Sequence, residues 1–365
     1  MDWSPQQDDA LKAIDRWLHK GDTQLFRLFG YAGSGKTTLA RHVAEHVTGD
    51  VAFAAFTGKA AHVLRANGCR GATTIHALIY RPASDDADDG ALTFTLRRDA
   101  PASEADLIVI DECSMVDEDL GRDLLSFGKP VLVLGDPAQL PPVKGGGYFT
   151  DAEPDFMLTD IHRQAADNPI IRLSMAIRDG RLDDADAADG AALNIVARDA
   201  IDADAILAAD QVLVGTNRTR RRYNERIRAL KGFDDATPEP GEKLVCLRNN
   251  KKKGLLNGGV WNVVSRAAPR GRKIRLRVAP DDGGKSVTVN VPQAFFTDGP
   301  ETVPFQEKRG ADEFDYGYAL TVHKAQGSQW DDVVLFDERF AFREHAGRWL
   351  YTGVTRAAER LTLVR

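Results

Sequence analysis

Gly30-Tyr31-Ala32-Gly33-Ser34-Gly35-Lys36-Thr37 decides how this chain is read, because it satisfies G-x-x-x-x-G-K-[ST] in the setting that the pattern requires. Leu25 to Phe29 ahead of it reads as a strand, and Thr38 to Ala44 behind it as a helix. The glycines let the backbone wrap a polyphosphate with its N–H groups inward, and the helix adds the positive end of its dipole. Lys36 then reaches the β- and γ-phosphates, and the Thr37 hydroxyl ligates Mg²⁺. Gly30, Gly33, Ser34, Gly35, Lys36, Thr37 and Thr38 are the expected cradle of ATP or a similar nucleotide. The bland alternative is a Gly-rich turn that matches by chance; the flanks weigh against it.

Working outward, Ser4 and Pro5 open a helix whose Ala10, Leu11, Ile14, Trp17 and Leu18 recur at helical spacing, reaching Lys20. Val51 to Phe56 is a second short apolar run, and Thr57-Gly58-Lys59 then starts a helix; Thr73 to Ile79 repeats the pattern. Strand, loop and helix in alternation predict a parallel sheet. Leu107 to Ile110 is a buried strand ending at Asp111-Glu112, and Val131 to Leu134 another ending at Gly135-Asp136-Pro137-Ala138-Gln139. Chemistry in such sheets gathers beyond the carboxyl ends of the strands. Asp111 is expected to hold Mg²⁺, Glu112 to orient or deprotonate the attacking water, and Gln139 to sense the γ-phosphate. A lone Asp-Glu more often caps the following helix; the phosphate loop upstream favours the catalytic reading.

Tyr80 to Ala105 breaks the rhythm and reads as an insertion with a small hairpin around Leu92 to Leu96. Leu158 to Gln164, with Arg163, is taken as the start of a second half. Gln211 to Val214 is a strand leading into an Arg-rich helix, and Asp234 to Glu242 a linker. From Lys243 to Val303, short strands parted by Gly, Asn and Pro predict a small barrel. The α/β pattern resumes at Tyr318 and ends with a helix reaching Val354, then Arg356 and a last strand.

The chain has 365 residues, enough for two domains, with 43% hydrophobic and 28% charged residues, an ordinary globular balance. No apolar run approaches a membrane span and Met1 to Pro5 has no signal-peptide character, so no membrane association and a cytoplasmic location are expected. Cys69, Cys113 and Cys246 are too scattered for a disulfide framework or zinc site and read as core residues. The net charge of −6 argues against a nucleic-acid partner only on average, because eleven Lys or Arg and no acid fall between Lys243 and Arg277. Arg218, Arg220, Arg221, Arg222, Arg226 and Arg228 form a second basic cluster, while acids concentrate in Asp85 to Asp89 and Asp183 to Asp204. Segregated charge suits one anionic partner.

With these residues assembled, the chain resembles superfamily 1 helicases, most closely the RecD/Dda-like branch, superfamily 1B. Trp3 to Gln7 looks like the adenine-reading Q motif, with Gln7 the recognition residue, and Gly30 to Thr37 is motif I. Phe56 to Ala61 is similar to motif Ia, Thr74-Ile75-His76 to Ib, Asp111 to Ser114 to II, and Gly135 to Pro142 to III. Leu158 to Gln164 looks like motif IV, Leu320 to Ser328 like V, with Gly327 at the nucleotide, and Val354 to Ala357 like VI. The resemblance implies an α/β fold of two RecA-like P-loop domains with parallel sheets. Residues 1–155 would form domain 1A, with 80–105 a pin insertion (1B); 156–240 and 304–365 would form 2A; and 241–303 an SH3-like β-barrel insertion, 2B.

The same resemblance implies an ATP-dependent, 5′-to-3′ helicase or translocase that works on single-stranded DNA and at ss/ds junctions. Arg163 and Arg356 would reach the γ-phosphate; Thr57, Lys59, His76, Thr321, His323 and Lys324 would lie along the DNA, and Phe94 would stack at the fork. Lys59 stands where some relatives carry His, which leaves that contact's geometry open. The chain begins almost at the Q motif and closes just after motif VI, so a compact, free-standing helicase is expected; two RecA-like domains in one chain can complete the ATP cleft, so a monomer is expected, with replication or recombination proteins left open as partners. Two other readings remain. One is a DNA-stimulated ATPase acting as an adaptor or subunit of a recombination or repair complex; the other is an RNA-directed superfamily 1 helicase.

Overall fold

The computed structural model describes residues 3–82, 94–141, 147–160, 168–181, 191–268, 271–281 and 283–365. The chain divides into two compact units, Met1–Ala192 with Glu344–Thr355, and Leu193–Arg343 with Arg356–Arg365.

The first unit is built on strands β1 (Leu25–Gly30), β2 (Val51–Ala55), β3 (Thr73–Thr74), β6 (Leu107–Asp111), β7 (Val131–Gly135) and β8 (Phe156–Leu158); β4 (Tyr80–Pro82) and β5 (Phe94–Leu96) pair separately. The main sheet runs β3-β2-β6-β7-β1-β8, every pair parallel. Parallel strands must be covered on both sides, and the sequence alternates accordingly. Leu107, Val109, Leu132 and Leu134 face one core with Ile14, Trp17 and Leu39; Ile108, Ile110, Val131 and Val133 face another with Ile75, Leu78, Leu120 and Leu124. Helices α1 (Pro5–Lys20) and α2 (Lys36–His46) supply the first cover; α4 (Ile75–Ile79), which follows α3 (Gly58–Ala66), and α5 (Glu118–Leu125) supply the second. Each fully buried Leu or Ile contributes about 1.5–3 kcal/mol. The opening helix starts as its sequence predicts: Ser4 accepts the Gln7 N–H at 3.2 Å and Gln7 Oε1 the Ser4 N–H at 3.1 Å, a reciprocal cap worth about 1 kcal/mol.

Two expected boundaries move. The division at 155/156 gives way because β8 pairs with β1, Leu28 beside Phe156 and Gly30 beside Leu158, and the first unit continues through α6 (Pro169–Arg178) to Ala192. A three-residue strand after a loop carries no mark in sequence of which sheet it joins. Likewise the antiparallel region extends past Val303.

In the second unit the parallel sheet runs β16-β10-β17-β18-β9, from β9 (Leu193–Val196), β10 (Gln211–Val214), β16 (Ala319–Thr321), β17 (Trp330–Phe336) and β18 (Ala357–Val364). Between them, an antiparallel sheet of order β14-β13-β12-β11-β15 uses β11 (Lys243–Cys246), β12 (Val260–Arg266), β13 (Lys273–Pro280), β14 (Val287–Pro292) and β15 (Phe314–Tyr316). In β13, Ile274, Leu276 and Val278 are buried, while Lys273, Arg275 and Arg277 project outward or to the margin. The sheet curls until its outer strands are stitched: the Asp312 N–H donates to the Asn290 carbonyl at 2.9 Å, and the Asn290 N–H to Asp312 Oδ2 at 2.9 Å. Both sheets and helix α8 (Asn217–Leu230), which follows α7 (Ala203–Ala208), share one core containing Val212, Ile227, Leu244, Trp261 and Phe314.

Among the described residues no helix is long and apolar enough to cross a membrane, and all three cysteines are buried and unpaired.

Candidate functional site

The phosphate loop joins β1 to α2 as the motif demands. Gly33 and Gly35 have φ of 79° and 84°, conformations that favour glycine. A side chain at Gly30 would meet Ser34 Oγ at 2.6 Å and Leu158 Cβ at 2.8 Å, so the loop's first position is closed to anything larger. The first turn of α2, at Lys36, Thr37 and Thr38, presents N–H groups that the helix cannot pair itself. Lys36 Nζ turns back onto the loop, donating to the carbonyls of Gly30 at 2.6 Å and Tyr31 at 3.0 Å.

Facing the loop, β6 ends in Asp111, whose Oδ2 accepts the Thr37 hydroxyl proton at 3.0 Å while Oδ1 accepts the Glu112 N–H at 2.8 Å. Burial, with Glu112's charge beside it, pushes the Asp111 carboxyl up to about 6. Glu112 has a left-handed backbone, φ 54° and ψ 45°, a costly conformation for glutamate of the kind that clusters at working sites. Gln139 lies in the turn after β7, its N–H on the Asp136 carbonyl at 3.1 Å; its side-chain Oε1 is buried with no partner among the described residues. An orphaned amide oxygen, unpaired N–H groups and a Thr–Asp pair fit a nucleotide phosphate and its cation. Thr37 and Asp111 supply two protein ligands, which suits Mg²⁺, a cation that keeps several waters.

Sequence reading missed the residues that hold this loop in place. The Tyr351 hydroxyl, in the late helix Ala346–Val354, accepts the Ala32 N–H at 3.1 Å and donates to Asp136 Oδ2 at 2.7 Å. Thr352 Oγ1 of the same helix accepts the Leu140 N–H at 2.9 Å. The Arg178 guanidinium stacks over the Tyr31 ring at 4.1 Å. Burial raises the Asp136 carboxyl above the usual carboxylate range. Asp136 carried a signal, since it directly follows β7 much as Asp111 closes β6; Tyr351 carried none.

Other expected residues stand as follows. The Gln7 amide, expected to read the base, is buried and engaged: Nε2 donates to the Ser34 carbonyl at 3.1 Å while Oε1 closes the helix cap. Thr57 and Thr321 cap helices, accepting the N–H of Ala60 at 3.1 Å and Lys324 at 3.3 Å; Thr74 and Thr216 do the same after β3 and β10. A capping hydroxyl keeps its own proton to donate. His76 packs near the rings of Phe56 and Tyr80, and burial lowers its pKa, so it is neutral at pH 7. Lys59 is half-buried and Lys324 exposed, and the His323 ring lies 5.4 Å from Phe342. In the second unit, buried Arg356 donates to the Ser328 carbonyl at 3.1 Å, beside Gly327 with φ 72°. Arg163, the Phe94 side chain, Asp85 to Asp89 and residues 183–190 lie outside the described residues.

The basic runs are less free than they read. Arg228 and Glu242 form a buried pair at 2.6 Å and Arg220 and Asp315 another at 2.6 Å; Arg221 pairs with Glu301. Within 243–277, Lys243, Arg248, Lys253, Arg266 and Arg272 each meet an acid from outside the run: Asp281, Glu313, Asp312, Asp235 and Glu307. Among the described residues, Lys273, Arg275 and Arg277 of β13 have no acidic partner, although Arg277 donates to Ser286 Oγ at 2.8 Å.

A phosphate loop on a parallel sheet, paired through Thr37 with a strand-end Asp-Glu, defines a P-loop nucleotide-binding protein. The family profile described as an AAA domain matches residues 3–198, and one described as a UvrD-like helicase C-terminal domain matches 316–364. The chain belongs to the AAA-domain family. It is 29% identical over 370 residues to the ATP-dependent RecD2 DNA helicase of Deinococcus radiodurans, covering 92% of this chain and 46% of that protein. It is 26% identical over 359 residues to the conjugal transfer protein TraA of Rhizobium radiobacter, covering 86% of this chain and 29% of that one. The chain thus spans about half, or less, of the length of these relatives. In fold it is similar to Bacteroides Pif1 bound to single-stranded DNA, with TM-score 0.60, 19% identity, and coverage of 100% of this chain and 92% of that one. Pif1 helicase from Candida albicans gives TM-score 0.58 at 18% identity, with coverage of 100% and 94%. The α/β architecture with two parallel sheets is consistent with two RecA-like domains.

Proposed function

We propose that this chain is an ATP-driven helicase that moves 5′ to 3′ on single-stranded DNA and separates duplex at ss/ds junctions. The observation that carries the proposal is the Thr37–Asp111 hydrogen bond at 3.0 Å, with Glu112 next in sequence in left-handed backbone. ATP with Mg²⁺ supplies the phosphoryl group and its charge-neutralising cation. Lys36 leaves the carbonyls of Gly30 and Tyr31 for the phosphates, and Thr37 and Asp111 hold the cation. Glu112 orients the attacking water and accepts its proton, and Gln139 senses the γ-phosphate through its amide N–H groups while its orphaned Oε1 accepts from that water. Arg356 and Arg163 neutralise charge on the transferring group. Gln7 acts on the base or, through Ser34, on the loop.

Thr57, Lys59, His76, Thr321, His323 and Lys324 line the DNA path in this reading, the threonines donating to phosphates the proton that capping leaves them. The antiparallel sheet serves as an SH3-like barrel tracking the backbone with β13, and the β4–β5 pair as a strand-separating pin. The working form is a monomer in the cytoplasm. The curated relative named as an ATP-dependent DNA helicase supports this reading, as does the likeness to a Pif1 bound to single-stranded DNA.

Mg²⁺-ATPase activity with and without single-stranded DNA, followed by unwinding of duplexes carrying a 5′ or a 3′ tail, tests it. Stimulation with separation only from the 5′ tail is expected. Separation only from the 3′ tail refutes the direction, and stimulation without any unwinding makes the protein a translocase or adaptor. Phe94→Ala is expected to impair duplex separation several-fold more than single-strand-stimulated hydrolysis; equal losses remove the pin.

A further inference from the structure

One face of the second unit is not used by any of this chemistry. Along α8, Arg218, Arg222 and Arg226 are exposed and spaced four residues apart, a single stripe with about 6 Å between successive guanidinium stems. None of the three forms an ion pair or side-chain hydrogen bond among the described residues, in contrast to Arg220 and Arg228 on the buried face of the same helix. The stripe borders a groove of about 1110 Å³. Its other lining comes from Ile201, from Ile206 of α7, and from Phe340 after β17.

Two of the large hydrophobic side chains most exposed on the described surface lie here, Phe340 at 75% and Leu230 at 41%. Arg198 adds a fourth positive charge. The lining holds two acids, Glu225 and Glu338, the latter also accepting the Gly215 N–H at 2.7 Å, so four arginines face two carboxylates and the groove keeps a net positive charge. The groove is at the upper end of the size that one small molecule fills, and its length follows a helix.

We propose that this groove docks an acidic, amphipathic segment of a partner protein. Carboxylates on one side of the segment meet the arginines, and aliphatic or aromatic side chains on the other cover Leu230, Ile206 and Phe340. An extended segment repeats its side chains about every 6.8 Å on one side, close to the arginine spacing. Exposed Arg and aromatic residues together are the composition of protein interfaces. A single strand of nucleic acid matches the arginines equally well. It gains stacking only on aromatic rings, however, and the aliphatic wall of Ile201, Ile206 and Leu230 offers it nothing.

The test is a random peptide library displayed on phage, selected on the full chain without nucleotide or DNA and counter-selected on an Arg222→Glu, Arg226→Glu variant. The expected survivors are rich in Asp and Glu interleaved with Leu, Ile or Phe. By fluorescence anisotropy their affinity drops about tenfold or more in Phe340→Ser and in Arg226→Glu, while both variants keep wild-type ATP turnover. No discriminated peptide, or survivors without acids, overturns the proposal. So does a loss of oligo-dT affinity in the charge-reversed variant with no peptide selected, which makes the groove a nucleic-acid track. Because selection uses no nucleotide or DNA, its result stands apart from that of the helicase assay.

Discussion

The phosphate loop and the basic run from Lys243 to Arg277 are both contiguous in sequence, yet only one behaves in the fold as its sequence reads. In the loop, function depends on neighbours along the chain: glycine conformations, the helix start and Lys36 are fixed within eight residues. In the basic run it depends on neighbours in space. Acids at Asp235, Asp281, Glu307, Asp312 and Glu313 return to five of the eleven charges in a cluster that reads as free, and the outward residues of β13 are among those that keep theirs without an acid. Backbone motifs survive the passage from one dimension to three; charge patterns do so only after their partners are subtracted.

Four experiments break or sharpen that contrast. Glu112→Gln is expected to lower the rate of phosphate release by about a thousandfold or more while a fluorescent ATP analogue still binds; unaltered turnover places the water-activating group elsewhere. Arg228→Ala strands the fully buried Glu242 carboxylate, so urea unfolding should reveal a loss of about 3–5 kcal/mol, whereas Arg272→Ala, at an exposed pair, leaves the midpoint unchanged. Similar midpoints for the two would erase the distinction between structural and free arginines. Tyr351→Phe removes both hydrogen bonds joining Ala32 and Asp136, with an expected cost of about 1–3 kcal/mol and a raised KM for ATP, read by thermal unfolding and steady-state kinetics. The smallest effect is expected from Arg275→Glu with Arg277→Glu: a few-fold weaker grip on oligo-dT and a salt dependence shallower by about one to two in log–log slope. An unchanged slope takes β13 off the nucleic-acid path.

Much of the candidate site was legible because each part is a strand end followed by a short motif. Gly30 to Thr37, Asp111-Glu112 and Gln139 all close parallel strands of one sheet, where such a fold gathers chemistry. Tyr351 was not, since 215 positions separate it from Asp136 and nothing local marks a tyrosine as a loop anchor. The domain boundaries moved at β8 and β15, three-residue strands whose partners alone reveal their sheet. Arg220 and Arg228 were misread as surface charge. The pattern held a clue, because 220, 224, 227 and 228 fall on the helical face that includes buried Ile227.

The helix Ala346–Val354 belongs to the first unit but is encoded after nearly all of the second. On a ribosome adding roughly 5–20 residues per second, the loop carrying Lys36 therefore waits roughly a quarter of a minute to a minute for the tyrosine that steadies it. Until then Ala32 and Asp136 lack their shared partner, and the nascent chain holds a nucleotide cradle that is complete in sequence and unfinished in structure. Translation itself thus sets the order in which this protein acquires its grip on phosphate.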